Sequence, residues 1–324
     1  MHRIRSALCY SLAATAALVA SPPLSAQQYP AKPVKIIVAF PPGAVTDTTS
    51  RLVAARLTAT LGQPVIVENK PGASGLIGTE AALKARPDGY TLTMLSSAYT
   101  TALAVNKVNF DPISDITPII QISQGSILVV VPLSVPVKNI QELVALAKAR
   151  PGMLNFASAG LGSPSHLAAE LFATRTGIKM NHVPYKGGGQ VVADTIAGQT
   201  DLFFSPLSTT LPHVQTGKLR ALAVASRERI AAAPDVPTIA ESGIPDCEVV
   251  FWIGLAGPKG LPRAIVERIN TEVTMALKSR ETDERLRAHG SSPIGGTPEQ
   301  FLAMIKNEIV LWREVAREAR LQPQ

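Results

Sequence analysis

Along almost its whole length this chain alternates short β-rich runs with helical patterns, and that rhythm restricts the fold more than any single motif. Strands are expected over 34–39, 65–68 and 91–96, with helices over 48–61 and 77–85 between them. Parallel strands need a crossover that a helix supplies, so the pattern predicts βαβ units and an α/β architecture. Gly62 closes the first helix as a left-handed C′ residue, and Pro87-Asp88-Gly89 turns the chain before the third strand. The rhythm restarts after a strand over 127–131. Helices over 140–149, 165–176 and 190–197 then alternate with strands over 154–157, 180–184, 202–205 and 219–225. A strand over 249–256 and a helix over 263–278 return to the first unit. The last helix opens on Thr297-Pro298-Glu299-Gln300, a capping box with proline at N1, and carries a packing stripe of Phe301, Ile305, Ile309, Trp312 and Val315. The expected organisation is a split lobe of 27–127 and 249–324 with an inserted lobe of 128–248. Each lobe is expected to be a mostly parallel sheet flanked by helices, and two lobes imply a cleft.

The first 26 residues have the form of a secretion signal. Arg3 and Arg5 give the basic start, 7–19 the apolar stretch, and Leu24-Ser25-Ala26 the cleavage site, so the mature chain is expected to begin at Gln27. The apolar run is shorter than the roughly 20 residues that span a bilayer, and Cys9 lacks the small residues that precede a lipidated cysteine. Only Cys247 survives cleavage, so no internal disulfide is available and stability must come from core burial, which a 46% apolar composition supports. Losing the signal removes two arginines from a formal charge of +7. The remaining basic residues are scattered, which argues against a nucleic-acid partner and leaves a modest field that favours anions. His166, His182, His213 and His289 show no metal-ligand spacing, so no metal or other cofactor is expected.

Four turns sit where strands give way to helices, the place where open α/β sheets bind ligands. The first, Pro41–Asp47, aims the unpaired amides of a helix start at the cleft, a geometry suited to an anion. Its candidates are Phe40 as a wall, Gly43, Ala44 and Thr46, with Asp47 either accepting a hydrogen bond from a ligand or capping the helix and pairing with Arg51. The second, 69–75, offers Ala73 and Ser74, and the third, 96–100, offers Ser97. The fourth, 157–166, resembles a broken dinucleotide fingerprint. Gly160 and Gly162 fit G-x-G, but Ser165 replaces the third glycine and no acidic residue follows, so an anion cradle fits better than a nucleotide site. There Ser158 and Ser163 either donate to a carboxylate or brace the turn, and His166 caps or packs the helix. Tyr185 stacks on a ligand or packs under the hinge, and Ser205 completes the set. One helix terminus contributes about 0.3–1 kcal/mol, up to about 2 when partly buried, against about 8 for micromolar binding, so several must act together.

Longer motifs carry a family resemblance. They run from Tyr29-Pro30 to Val38, then Phe40-Pro41-Pro42-Gly43 with Asp47 and Arg51, Leu61-Gly62-Gln63-Pro64-Val65 to Asn69, and Pro87-Asp88-Gly89-Tyr90-Thr91-Leu92. The second half adds Ser158-Ala159-Gly160 with Gly162-Ser163 and His166-Leu167, Val183-Pro184-Tyr185-Lys186-Gly187-Gly188, Gly217-Lys218-Leu219-Arg220 onward, and Pro234-Asp235-Val236-Pro237-Thr238. The chain resembles the Bug/TctC family, extracytoplasmic solute receptors of tripartite tricarboxylate transporters. The resemblance implies a two-lobed, type II Venus-flytrap binding protein of the periplasm, without catalysis. Its relatives take mono- and dicarboxylates, amino acids, citrate or nicotinamide-like compounds, holding carboxylates largely through backbone amides and waters of loops matching 40–47. The expected partners are a small carboxylate and the transporter's membrane subunits, or a membrane sensor, with the receptor a monomer. Family members usually carry a second glycine where this chain has Ala44. That methyl either strains a left-handed turn or narrows the pocket. A secreted serine hydrolase is the rival reading, yet G-x-S-x-G, Ser-x-x-Lys, His-Glu-x-x-His and Walker motifs are all missing, and Ser74 within Gly72-Ala73-Ser74-Gly75 is the nearest approach to a nucleophile elbow.

Overall fold

The structure is a computed structural model that describes residues 29–185, 188–288 and 290–321. The expected signal segment, with its expected cleavage site and Gln27, together with Lys186, Gly187 and His289, lies outside the described residues. In chain order the elements are β1 (Val34–Val38), α1 (Val45–Leu61), β2 (Val65–Asn69), a 3-10 turn (Ala73–Gly75), α2 (Leu76–Leu83), β3 (Thr91–Ser96), α3 (Ser97–Ala102) and β4 (Ile116–Pro132). Next come α4 (Ile140–Ala149), β5 (Asn155–Ser158), α5 (Pro164–Thr176), β6 (Asn181–Pro184), α6 (Gly188–Ile196), β7 (Leu202–Pro206), α7 (Leu207–Gln215) and β8 (Leu219–Val224). The chain ends with β9 (Val250–Pro258), α8 (Arg263–Leu277), α9 (Arg280–Ala288), β10 (Ser291–Gly295) and α10 (Pro298–Glu318).

These strands make two sheets joined through β4. In the first lobe β1 pairs in parallel with β2 and β3, while β9 runs antiparallel to β3 and β4, and β10 antiparallel to β4. In the second lobe β5 pairs in parallel with β6 and β7, and β4 runs antiparallel to β7 and β8. The sheets are therefore mixed rather than mostly parallel. A strand that leaves one lobe for the other enters beside its neighbours in the opposite sense, and both β4 and β9 do so. β4 is also far longer than the strand expected over 127–131. Its 17 residues reach, at about 3.3 Å each, through both lobes. Residues up to Ser126 pair with β9, and from Ile127 the partners are Pro206 to Phe203 of β7. Pro118, Gln121, Gln124 and Gly125 hide the first half of this strand from an apolar-run criterion, and its register shifts twice against β9 between Pro118 and Ser123, where bulges bend it.

Three helices escape sequence reading for physical reasons. α3 is short and hydroxyl-rich, α7 contains Pro212, and α9 buries only Thr282 and Leu286 while its surface is held by the i,i+4 pairs Arg280–Glu284, Glu281–Arg285 and Asp283–Arg287. The capping box of α10 is present as expected, with the Thr297 hydroxyl accepting from Gln300 N and the Gln300 side chain accepting from Thr297 N.

α10 packs on both lobes. Phe301, Ile305 and Ile309 belong to a first-lobe cluster with Tyr99 and Trp252, whereas Trp312, Val315 and Ala316 enter the second-lobe core beside Phe172 and Leu171. Between these stretches Glu308 accepts hydrogen bonds from the Thr100 hydroxyl at 2.6 Å and from Trp252 Nε1 at 2.8 Å. Burial raises its carboxyl pKa, and the donors around it only partly offset that. A raised carboxyl favours the protonated folded form, so its contribution to stability is complete below the ordinary carboxyl pKa and is lost as pH rises through the folded value. Replacing Glu308 with Gln is expected to flatten that part of the stability profile in denaturant melts. Glu308→Ala, which leaves two buried donors unpaired, is expected to cost about 2–4 kcal/mol.

Candidate functional site

The two lobes enclose a cleft of about 600 Å³. The first lobe supplies Phe40, Ala44, Val45 and Thr46, the turn Pro71–Gly75, Ser96, Ala98 and Phe251. The second supplies Ala159, Gly160, Ser163, Pro164, Ser165, Tyr185, Phe203, Pro206 and Thr209. The starts of α1, α2, α3, α5 and α7 all reach this lining. Among the described residues, none that lines the cleft carries a charge. The cleft thus offers hydroxyls, unpaired helix-start amides and apolar walls, a set that can hold an anion by neutral donors.

Each turn is braced by its own side chains. Asp47 is the third residue of α1, and its Oδ2 accepts from Gly43 N at 2.9 Å and Arg51 Nε at 3.0 Å, while Oδ1 accepts from Asn69 Nδ2 at 2.8 Å. Asn69 Nδ2 also donates to the Phe40 carbonyl. Burial alone would raise the Asp47 carboxyl, but the hydrogen bonds from Arg51, Asn69 and Gly43 outweigh it and hold it below the ordinary carboxylate range. Asp47 therefore acts as a brace, and both it and Gly43 lie off the lining. Gly43 holds φ +83°, and a Cβ there would meet nothing within 4 Å. Side chains larger than glycine at this position would act through backbone strain rather than by filling the cleft. Ala44 has φ −64° and ψ 155°, ordinary extended backbone. The Ala44 methyl therefore adds no backbone strain, and the residue lines the cleft.

The second turn is the strained one. Ala73 and Ser74 both adopt positive φ, 47° and 53°, between Gly72 and Gly75, which do so too. Two non-glycine residues in the left-handed region in succession mark a turn that its surroundings over-determine. Both line the cleft, and Ser74 Oγ donates across it to the Leu161 carbonyl at 3.2 Å. In the third turn Ser96 lines the cleft while Ser97 sits behind it. Both hydroxyls are buried without a hydrogen-bond partner among the described residues.

In the second lobe Ser163 is the N-cap of α5, accepting from His166 N, and its hydroxyl lies 3.0 Å from that of Ser165, which accepts from Ala159 N. Gly160 lines the cleft beside Tyr185, whose phenol pKa is raised first by burial and then by Asp194. Four of the expected residues turn inward. Ser158 Oγ accepts from Gly160 N and lies 2.6 Å from His182 Nε2. Gly162 N donates to His166 Nδ1 at 3.2 Å, and His166 is itself buried. Ser205 Oγ donates to the Pro206 carbonyl.

Eight of the expected residues thus meet around one cavity: Phe40, Ala44, Thr46, Ala73, Ser74, Gly160, Ser163 and Tyr185. Gly43, Asp47, Ser97, Ser158, Gly162, His166 and Ser205 lie behind it. Sequence reading misses Ser96, Ser165, Phe203, Pro206, Thr209 and Phe251. Thr209 lies on the unexpected helix α7, and Phe251 at the start of β9, where nothing in the local sequence distinguishes a crossover from an ordinary strand end.

A sequence model described as the tripartite tricarboxylate transporter family receptor matches residues 49–321. Protein BugT of Bordetella pertussis is 38% identical over 308 residues, covering 94% of each chain. Among solved structures, Rpa4515 of R. palustris with adipate superposes with a TM-score of 0.83 at 35% identity, covering 91% of this chain and all of that one. MatC of Rhodopseudomonas palustris with bound malate gives a TM-score of 0.80 at 31% identity, over 89% of this chain and 99% of that one.

Because Ala44 needs no left-handed backbone, Ala44→Gly is expected to lower stability by about 0.5–1 kcal/mol through the freer unfolded chain. Thermal melts of the two proteins check this. A glycine variant that melts higher would mean that Ala44 is strained.

Proposed function

This chain belongs to the tripartite tricarboxylate transporter receptor family, and from that membership we propose that it is a periplasmic solute-binding protein that captures a small carboxylate in the interlobe cleft and hands it to the transporter's membrane subunits. The observation that carries the reading is a cleft lined by several helix starts and hydroxyls, with no charged side chain among the described lining residues. The ligands named for two structural relatives, adipate and malate, support the substrate class. Among the described residues no helix is long and apolar enough to cross a membrane.

In this reading the free amides of Val45 and Thr46, the Thr46 hydroxyl and the Ala73–Gly75 turn hold one end of the ligand from the first lobe. Gly160, Ser163 and Ser165 close on it from the second, and Phe40, Phe203 and Phe251 cover its apolar part. Closure excludes water, which strengthens each neutral hydrogen bond to the anion. The hinge lies where β4 and the segment before β9 cross, near residues 127 and 249. The geometry favours capture over turnover. The Ser74 hydroxyl is engaged by Leu161, and Ser158, which does meet a histidine, is buried away from the cleft.

Calorimetry and thermal shift of the mature protein against adipate, malate and a panel of other carboxylates test the proposal. A true ligand at 100 times its dissociation constant is expected to add about 2.7 kcal/mol of stability. It should be recovered unchanged. A panel without a shift, or conversion of the bound compound, overturns the reading.

A further inference from the structure

Counted outward from β9 and β4, the strands that cross between the lobes, the cleft has two tiers of polar groups, each with a member from either lobe. Across the joined sheets the strands run β1, β3, β9, β4, β7, β5. β1 leads into the start of α1 and β5 into the start of α5, and these outer starts hold the carboxylate proposed above. One strand nearer the crossing on each side, β3 ends at Ser96 and β7 at Pro206, where α7 begins. Phe251 of β9 lies between these inner positions in the sheet, and Ser96, Pro206, Thr209 and Phe251 all line the cleft.

The inner tier holds polar groups with nothing to bond. Ser96 is the N-cap of α3, the position from which a serine hydroxyl ordinarily accepts a first-turn amide. Here it makes no such bond. Ser96 is 2% exposed, and its Oγ has no partner of any kind among the described residues. A buried hydroxyl left unpaired destabilises a fold, and Ser96 borders on the cleft, so a bound molecule is the partner within reach. One rotation about χ1 moves the hydroxyl between its staggered positions. From the second lobe, α7 begins on Pro206, whose side chain supplies no cap, so the first amides of that helix keep their partial positive charge for whatever lies before them. Thr209, in the same first turn, adds a hydroxyl to the lining.

Given that the cleft is the ligand site, as proposed above, we infer that Ser96, Thr209 and the start of α7 form a second carboxylate position, so that the receptor takes a short dicarboxylate in preference to a monocarboxylate of the same length. Neighbouring strands lie about 4.8 Å apart, which sets the distance between the two tiers, and a short carbon chain with a carboxylate at each end bridges that span. A monocarboxylate held by α1 and α5 instead places a methyl group against the Ser96 hydroxyl and the α7 amides. Polar groups left unpaired in a closed cleft discriminate strongly, whereas one methylene more or less in an apolar pocket discriminates weakly. The apolar walls are left to sort dicarboxylates by length and branching.

Calorimetry on the mature protein with two matched pairs, adipate against hexanoate and succinate against butyrate, tests this. At least one dicarboxylate is expected to bind about tenfold or more tighter than its matched monocarboxylate, the worth of one hydrogen bond to a charged group. Ser96→Ala and Thr209→Val are each expected to weaken the dicarboxylate and narrow that ratio, while Thr209→Ser, which keeps the hydroxyl, retains it. Ser96→Ala should bind the monocarboxylate at least as tightly as the wild type does, because the unpaired hydroxyl is gone. Thermal melts without ligand add a check that needs no binding. Ser96→Ala is expected to melt no lower than the wild type, since no protein group loses a partner; a lower Tm means that the hydroxyl serves the fold, and overturns the inference. Equal affinities within both pairs overturn it as well, as does a ratio that neither Ser96→Ala nor Thr209→Val changes. In those cases carboxylate capture stands and only the second position falls. If none of the four compounds binds, the carboxylate reading itself falls and takes the second position with it.

Discussion

A buried backbone amide must keep its hydrogen bond, and in this molecule that requirement ties the two lobes together. β4 is paired along its length, first with β9 and β10 and then with β7 and β8. Any rotation of one lobe against the other has to be absorbed as twist within β4 and the crossover before β9, because sliding the sheets apart would strip several ladder bonds at once. The bulges of β4 already relax its register on the first-lobe side. α10 adds a third crossing, with Glu308 tying Thr100 and Trp252 to the helix between its two packing stretches. The same constraint aims the strand ends. β1 and β3 of one lobe and β5 and β7 of the other all finish at the cleft, so every helix that follows them begins there.

Convergence of helix starts explains how a cleft whose described lining carries no cation can favour an anion. A lysine or arginine in such a cleft would have to be stripped of its water each time the lobes closed, at a cost of several kcal/mol. Helix-start amides carry their partial charge as part of the fold and need no such desolvation of a full charge. The nearest guanidinium to the first turn, Arg51, is held on Asp47 and stays at the surface, more than half exposed. Its role is to fix the carboxylate that fixes Gly43, two steps removed from any ligand.

The βαβ rhythm, the final capping box and the left-handed closure at Gly62 were legible because each depends on a few neighbouring residues. The crossing strand was not, since whether a run such as Ile116–Gly125 pairs depends on β9 and β10, more than a hundred residues away. The site divides the same way. Position after a strand marks four turns that reach the cleft, but a hydroxyl or carboxylate in a tight turn first satisfies that turn's own amides. Asp47, Ser158 and His166 all do this, and sequence spacing cannot separate a group that faces the ligand from one that faces the loop. Ser74 and Ser163 make such hydrogen bonds and also line the cleft.

That division of labour bears on specificity. When side chains brace the loops and backbone meets the anion, every carboxylate presents the same head to the same amides. On the proposed reading discrimination then comes from the apolar walls, among them Ala44, Phe40, Phe203 and Phe251. A methyl at position 44 that costs no strain removes roughly the volume of one carbon from the end of the cleft nearest α1. In a close-packed site a change of one methyl group is felt as about 1 kcal/mol, enough to shift preference among ligands that differ by a methylene without altering how their carboxylates are held. Receptors on this scaffold can therefore diverge in cargo through apolar substitutions at the rim while the hydrogen-bonded turns beneath stay unchanged.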